Sequence, residues 1–90
     1  MSYVLQLYIA GTSTLSINAT KNLSRLVKKF LNEQEDNIEI IDIMASPAIA
    51  FEKRIIITPT LIRVQPSPLL RIVGDLSDID NVAVELGLIK

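Results

Sequence analysis

The chain has 90 residues, 49% of them hydrophobic, and carries 9 basic against 10 acidic side chains for a net charge of −1. That is one small domain with enough apolar material to fold, and its near-neutral balance supplies no global field for nucleic acid or an anionic membrane. There is no Cys and no His, which excludes disulfides, thiolate metal sites and thiol redox chemistry and removes the usual general base near neutral pH.

The first element in chain order is Tyr3-Val-Leu-Gln-Leu-Tyr-Ile-Ala10, rich in β-formers and closed by Gly11. It reads as a strand, and its near-continuous hydrophobicity predicts cover on both faces. The start lacks the basic residues of a secretory leader, Gln6 interrupts the apolar run, and no stretch approaches the ~18 apolar residues of a membrane span. A cytoplasmic protein without membrane contact is expected. The sequons at Asn18 and Asn22 are then accidental.

Ser16 to Gln34 reads as a helix with Ser16 or Thr14 as its cap. Ala19, Leu23, Leu26, Val27, Phe30 and Leu31 form an apolar face, with Lys21, Arg25, Lys28 and Lys29 opposite. The acidic stretch 32–37 turns the chain into a second strand, Ile38 to Ile43, which a βαβ unit makes parallel to the first. Ser46-Pro47 starts a short helix to Arg54, and Ile55-Ile-Ile57 argues against a longer one. Thr60–Val64 and Leu69–Val73 read as a hairpin around Gln65-Pro-Ser-Pro68. After Gly74-Asp75, Ser77-Asp78-Ile-Asp80 opens a last helix with Ile79, Val82, Ala83 and Leu86 on one face and Gly87 as its stop.

The order β-α-β-α-β-β-α is an α/β, thioredoxin-like arrangement, in which the Thr58–Pro59 bond is usually cis. The redox position holds Gly11-Thr-Ser-Thr14, so no thiolate forms there. Its hydroxyls serve either to cap the helix or to bind an anion, and capping is the ordinary role. Glu39 and Asp42 are three residues apart on a strand and point to opposite faces, so they make no acid–base pair. Asp75, Asp78 and Asp80 read as turn and first-turn residues. Tyr3, Tyr8, Phe30 and Phe51 all fall at apolar positions, so no aromatic platform for nucleic acid is expected. No catalytic, cofactor or metal site is predicted. The features left are a basic helix face and an open edge strand carrying Glu39 and Ile41, which together predict a protein-interaction module.

Leu7-Tyr-Ile-Ala-Gly11, Leu23, Ile41-Asp42-Ile43, Ala45-x-Pro47, Thr58-Pro-Thr-Leu61 and Arg71-Ile-Val-Gly-Asp-Leu-Ser77 resemble the KaiB family of cyanobacterial circadian clock proteins. The resemblance runs over nearly the whole chain, and the last two motifs at this spacing set it apart from plain thioredoxins. It implies a non-enzymatic protein that binds the ring of a KaiC-type ATPase, modulates its phosphorylation cycle and sequesters KaiA. It also implies a single domain, 1–90, with a constant βαβ half over 1–45 and a fold-switching half over 46–90. The alternative ground-state order is βαββααβ, found in homodimers or homotetramers. Pro59, Pro66 and Pro68 lie in the switching half and can slow its rearrangement. Gly74 and Asp75 fall at its turn and are expected to tune the balance. The partner-binding residues expected are Lys21, Arg25, Lys28, Lys29, Glu39 and Ile41.

The chain departs from the family pattern by ending at Lys90 without an acidic tail and by having Thr12-Ser-Thr14 where an Asn-Thr-Pro-type sequence is usual. Those departures fit a diverged homologue whose partner is a KaiC-like ATPase of a stress or signalling system. The alternative reading is a Cys-less thioredoxin-like adaptor or oligomerisation module with no ATPase partner.

Overall fold

A computed structural model describes residues 2–90; Met1, part of the start expected to lack a leader, lies outside them. The elements are β1 (Val4–Ile9), α1 (Thr14–Phe30), β2 (Asn37–Asp42), α2 (Pro47–Glu52), β3 (Thr60–Gln65), β4 (Leu70–Val73) and α3 (Ile79–Leu86). They form one sheet in the order β2-β1-β3-β4. β1 and β2 are parallel, and the β1/β3 and β3/β4 pairs are antiparallel. The β-α-β-α-β-β-α order expected from the sequence is the order found, with β2 at an edge.

β1 is apolar along most of its length because it is central and covered on both sides. Leu5 and Leu7 face one layer and Tyr8 the other, and all three are fully buried. On the inner face, Leu5, Leu7, Leu61 and Ile72 meet Ala19, Leu23, Leu26 and Val27 of α1 and Ile79, Val82, Ala83 and Leu86 of α3. On the outer face lie Tyr8, Thr60 and Ile62, also buried.

Helix α1 differs from expectation at both ends. It starts at Thr14, with Ser13 as its cap, rather than with Thr14 or Ser16 capping. Ser16 is instead buried, and its hydroxyl accepts the Ala10 N–H at 3.0 Å. The helix ends at Phe30, four residues before Gln34, because Leu31 turns extended. Side chains then capture the backbone. The Asn32 N–H donates to Asp36 Oδ2 at 2.9 Å and the Gln34 N–H to Asn32 Oδ1 at 2.9 Å. Short polar side chains compete with the helix in this way.

Helix α3 starts at Ile79 with Asp78 as cap, accepting the Asn81 N–H at 3.0 Å. Gly87 ends it at φ +82°, a left-handed geometry that Gly adopts without steric cost. Pro47 sits at the first position of α2, as expected, although Ser46 makes no side-chain cap bond. The Thr58–Pro59, Gln65–Pro66 and Ser67–Pro68 bonds are all cis, the first as the fold analogy implied.

Candidate protein-interaction surface

The hydroxyl-rich loop at the head of α1 is occupied by its own backbone. Ser13 Oγ accepts the Ser16 N–H at 3.3 Å and donates to Ser16 Oγ at 2.8 Å. Asp42 Oδ1 accepts the Gly11 N–H at 2.9 Å, which places a carboxylate beside the loop and opposes an anion there. The hydroxyls therefore do capping work. Ser13→Ala is expected to cost about 1 kcal/mol, read as a lower urea midpoint at unchanged slope.

The other carboxylates near the loops are tied down as well. Asp42 Oδ1 also takes the Met44 N–H at 2.9 Å, and Asp36 Oδ1 takes the Tyr3 N–H at 2.7 Å. Asp75 Oδ1 accepts the Ser77 N–H at 3.1 Å, while the Asp75 carbonyl accepts Asn22 Nδ2 at 2.8 Å, which fixes the turn after Gly74 to α1. Among the described residues no group of three or more acidic side chains is arranged to hold a metal ion.

The residues expected to bind a partner do not form one surface. Lys21, Arg25 and Lys28 stand exposed on the outer side of α1, above the inner face of the sheet. Lys29 is engaged within the molecule, 2.8 Å from Asp80 of α3. Glu39 and Ile41 pair with Gln6 and Tyr8 and so lie on the opposite, outer face. There Tyr8 Oη donates to Gln6 Oε1 at 2.8 Å, and Gln6 Nε2 reaches Glu39 Oε1 at 3.5 Å. Burial pushes the Tyr8 phenol up, Glu39 adds to the rise and Arg71 opposes it, so the hydroxyl is a donor at neutral pH.

Phe51, expected at an apolar position, and Ile56 are the two most exposed large apolar side chains among the described residues. Phe51 is 88% exposed and Ile56 is 94% exposed. With Ala50, Arg54 and Ile55 they line an open hollow of about 460 Å³. The segment is held from below. Arg71, on the outer face of β4, donates to the Lys53 carbonyl at 2.6 Å and to the Arg54 carbonyl at 3.1 Å. Arg54 takes a left-handed φ of +54° and closes the turn. Arg54 lines the hollow, and the Glu52, Lys53 and Arg54 side chains all stay exposed beside it, so the turn carries both signs of charge. Two large apolar side chains raised together on an anchored turn make a candidate docking surface rather than a scattered surface residue.

No helix among the described residues is long and apolar enough to cross a membrane. Among solved structures, the N-terminal domain of SasA from Synechococcus elongatus matches with a TM-score of 0.74 at 20% identity, covering 96% of this chain and 80% of that one. Mitochondrial thioredoxin 3 of Saccharomyces cerevisiae matches at 0.69 and 20% identity, covering 96% and 76%. These likenesses define a thioredoxin-like domain, here with hydroxyls in place of redox cysteines. A KaiB domain model matches residues 6–88. The circadian clock protein KaiB3 of Synechocystis is 43% identical over 86 residues, 96% of this chain and 83% of that protein. The chain belongs to the KaiB family of circadian clock proteins.

Proposed function

We propose that this chain is a non-enzymatic clock component that docks on the ring of a KaiC-type ATPase and so alters its phosphorylation cycle. The observation that carries the reading is the pair Phe51 and Ile56, raised in solvent on the turn that Arg71 holds. Burying two such side chains supplies the hot-spot energy of a docking interface, and the exposed Glu52, Lys53 and Arg54 beside them are placed to pair at its rim. The thioredoxin-like arrangement is the one the family resemblance links to binding. Lys21, Arg25 and Lys28 lie on another side and supply steering charge rather than the anchor. The open edge of β2, carrying Glu39 and Ile41, supports a second contact that would sequester a KaiA-type partner where one exists.

The division of the domain follows the same reading. The first part, to residue 45, holds the parallel βαβ, and 46–90 add α2, the β3–β4 hairpin and α3 to it. In the proposed cycle the second half repacks into a dimeric or tetrameric ground state, and Pro59, Pro66, Pro68, Gly74 and Asp75 lie in the part that moves. The site of action proposed is the cytoplasm.

The test is size-exclusion chromatography of the chain with a KaiC-type ATPase from the same source, in both nucleotide states, followed over many hours. Co-elution that grows slowly is expected, because a fractionally populated competent form delays capture. Separate peaks in both states, with an active ATPase, would contradict the reading.

A further inference from the structure

Helices α2 and α3 end in the same backbone motif. At the end of α3 the Gly87 N–H donates to the Val84 carbonyl at 3.0 Å and the Leu88 N–H to the Ala83 carbonyl at 2.9 Å, with Gly87 at φ +82°. At the end of α2 the Arg54 N–H donates to the Phe51 carbonyl at 3.2 Å and the Ile55 N–H to the Ala50 carbonyl at 2.9 Å, with Arg54 at φ +54°. Paired bonds of this kind around one left-handed residue close helix C-termini, and glycine is the usual occupant of that place because it has no Cβ to clash. One helix of this chain uses glycine there and the other uses arginine.

The domain itself does not need that arginine. The bonds that close the α2 turn run through the backbone, from the Arg54 and Ile55 N–H groups and into the Lys53 and Arg54 carbonyls, which Arg71 holds. The Arg54 side chain stands in solvent and forms no ion pair among the described residues. A glycine would make the same bonds without the strain. A strained residue that its own fold does not require points to a use outside the fold. The place of the residue indicates which use. Arg54 lines the open hollow together with Ala50, Phe51, Ile55 and Ile56, and so sets a planar cation at an otherwise apolar surface.

We propose that Arg54 is a specificity residue of the α2 docking surface, pairing with a carboxylate that the ATPase carries beside the apolar side chain it seats in the hollow. This rests on the docking role given to Phe51 and Ile56 above. A guanidinium takes a carboxylate or a phosphate through two parallel N–H bonds. The turn favours the carboxylate. Glu52, Lys53 and Arg54 bring one negative and two positive charges, so a single negative charge balances the excess, and exposed Glu52 repels a doubly charged phosphate more strongly. Docking that covers Phe51 and Ile56 also takes water from the pair, where a hydrogen bond is stronger.

Release from the preformed complex tests this. The full chain, Arg54→Gly and Arg54→Lys are each bound to the KaiC-type ATPase ring to equilibrium, and dissociation is followed after dilution. That rate does not depend on how much of the free chain is competent to bind. Arg54→Gly is expected to leave the ring about tenfold faster, because removing one partner of a desolvated charge pair acts mainly on dissociation. Arg54→Lys should fall between, since it keeps the charge without the fork. In urea, Arg54→Gly is expected to hold or raise the wild-type midpoint, because glycine takes the left-handed turn freely. A midpoint clearly below wild type would show that the arginine serves the fold, and release of Arg54→Gly at the wild-type rate would show that it does not meet the ATPase; either result overturns the proposal. Phe51→Asp separates it from the docking role. If Phe51→Asp loses capture while Arg54→Gly is released at the wild-type rate, this inference alone fails. If Phe51→Asp is captured as well as the wild type, the docking surface fails and the inference falls with it.

Discussion

Leu7→Ala is expected to remove about a third of the free energy that keeps this domain folded, at the middle of the ranges below. Leu7 lies on the central strand, paired with Ile40 of β2 on one side and Leu61 of β3 on the other. Its side chain is fully buried under α1 and α3. A Leu→Ala change in such a place costs about 2–5 kcal/mol, the lost transfer energy plus the cavity left behind. A domain of this size has only about 5–13 kcal/mol in total. Both halves of the chain meet at this residue, so β1 cannot relax toward one neighbour without opening a gap at the other. Urea unfolding is the measurement. The midpoint should fall steeply, whereas Leu69→Ala, at a position 57% exposed, should move it within about 0.5 kcal/mol. Equal effects of the two would contradict the assigned core.

Phe51→Asp has the second large effect, and it is on binding alone. The ring is 88% exposed, so the folded state loses little packing when it is removed, and the thermal midpoint should stay nearly unchanged. In the proposed complex the same ring is the anchor. Its replacement by a charge should weaken ATPase capture by about 2 kcal/mol or more, roughly thirtyfold. Ile56→Asp should act in the same direction. A Lys21→Ala, Arg25→Ala double variant should change mainly the association rate and its salt dependence, because those side chains stand away from the proposed anchor. Retained capture by Phe51→Asp with a normal fold would move the docking surface elsewhere.

Most of the fold was legible because its signals are local. The apolar run of β1, the helical spacing from Ala19 to Val27, the Ser46-Pro47 start, the proline-rich hairpin loop and the Gly87 stop each depend on a few neighbouring residues. The end of α1 was less legible. Asn32 and Asp36 take the backbone N–H groups that a longer helix would need, and that competition shows only once the side chains are placed. The candidate docking surface was the least legible. Phe51 and Ile55 to Ile57 have the composition of a core, and nothing local says that the sheet is already covered. Arg71 decides it by tying the Lys53 and Arg54 carbonyls down to β4, which lifts Phe51 and Ile56 outward. That is a contact across 17 and 18 residues of sequence. The same limit applied to Lys21, Arg25, Lys28, Glu39 and Ile41. Each was correctly read as a surface or edge residue, but their division between two faces of the sheet follows from the β1–β2 register.

Amide hydrogen exchange on the chain, free and saturated with the KaiC-type ATPase ring, tests the docking surface most directly. The account predicts new protection over 50–57 on binding, centred on the turn that Arg71 holds, with the outer side of α1 exchanging as it does in the free chain. Protection confined to α1, with 50–57 unchanged in a complex shown to have formed, would contradict it.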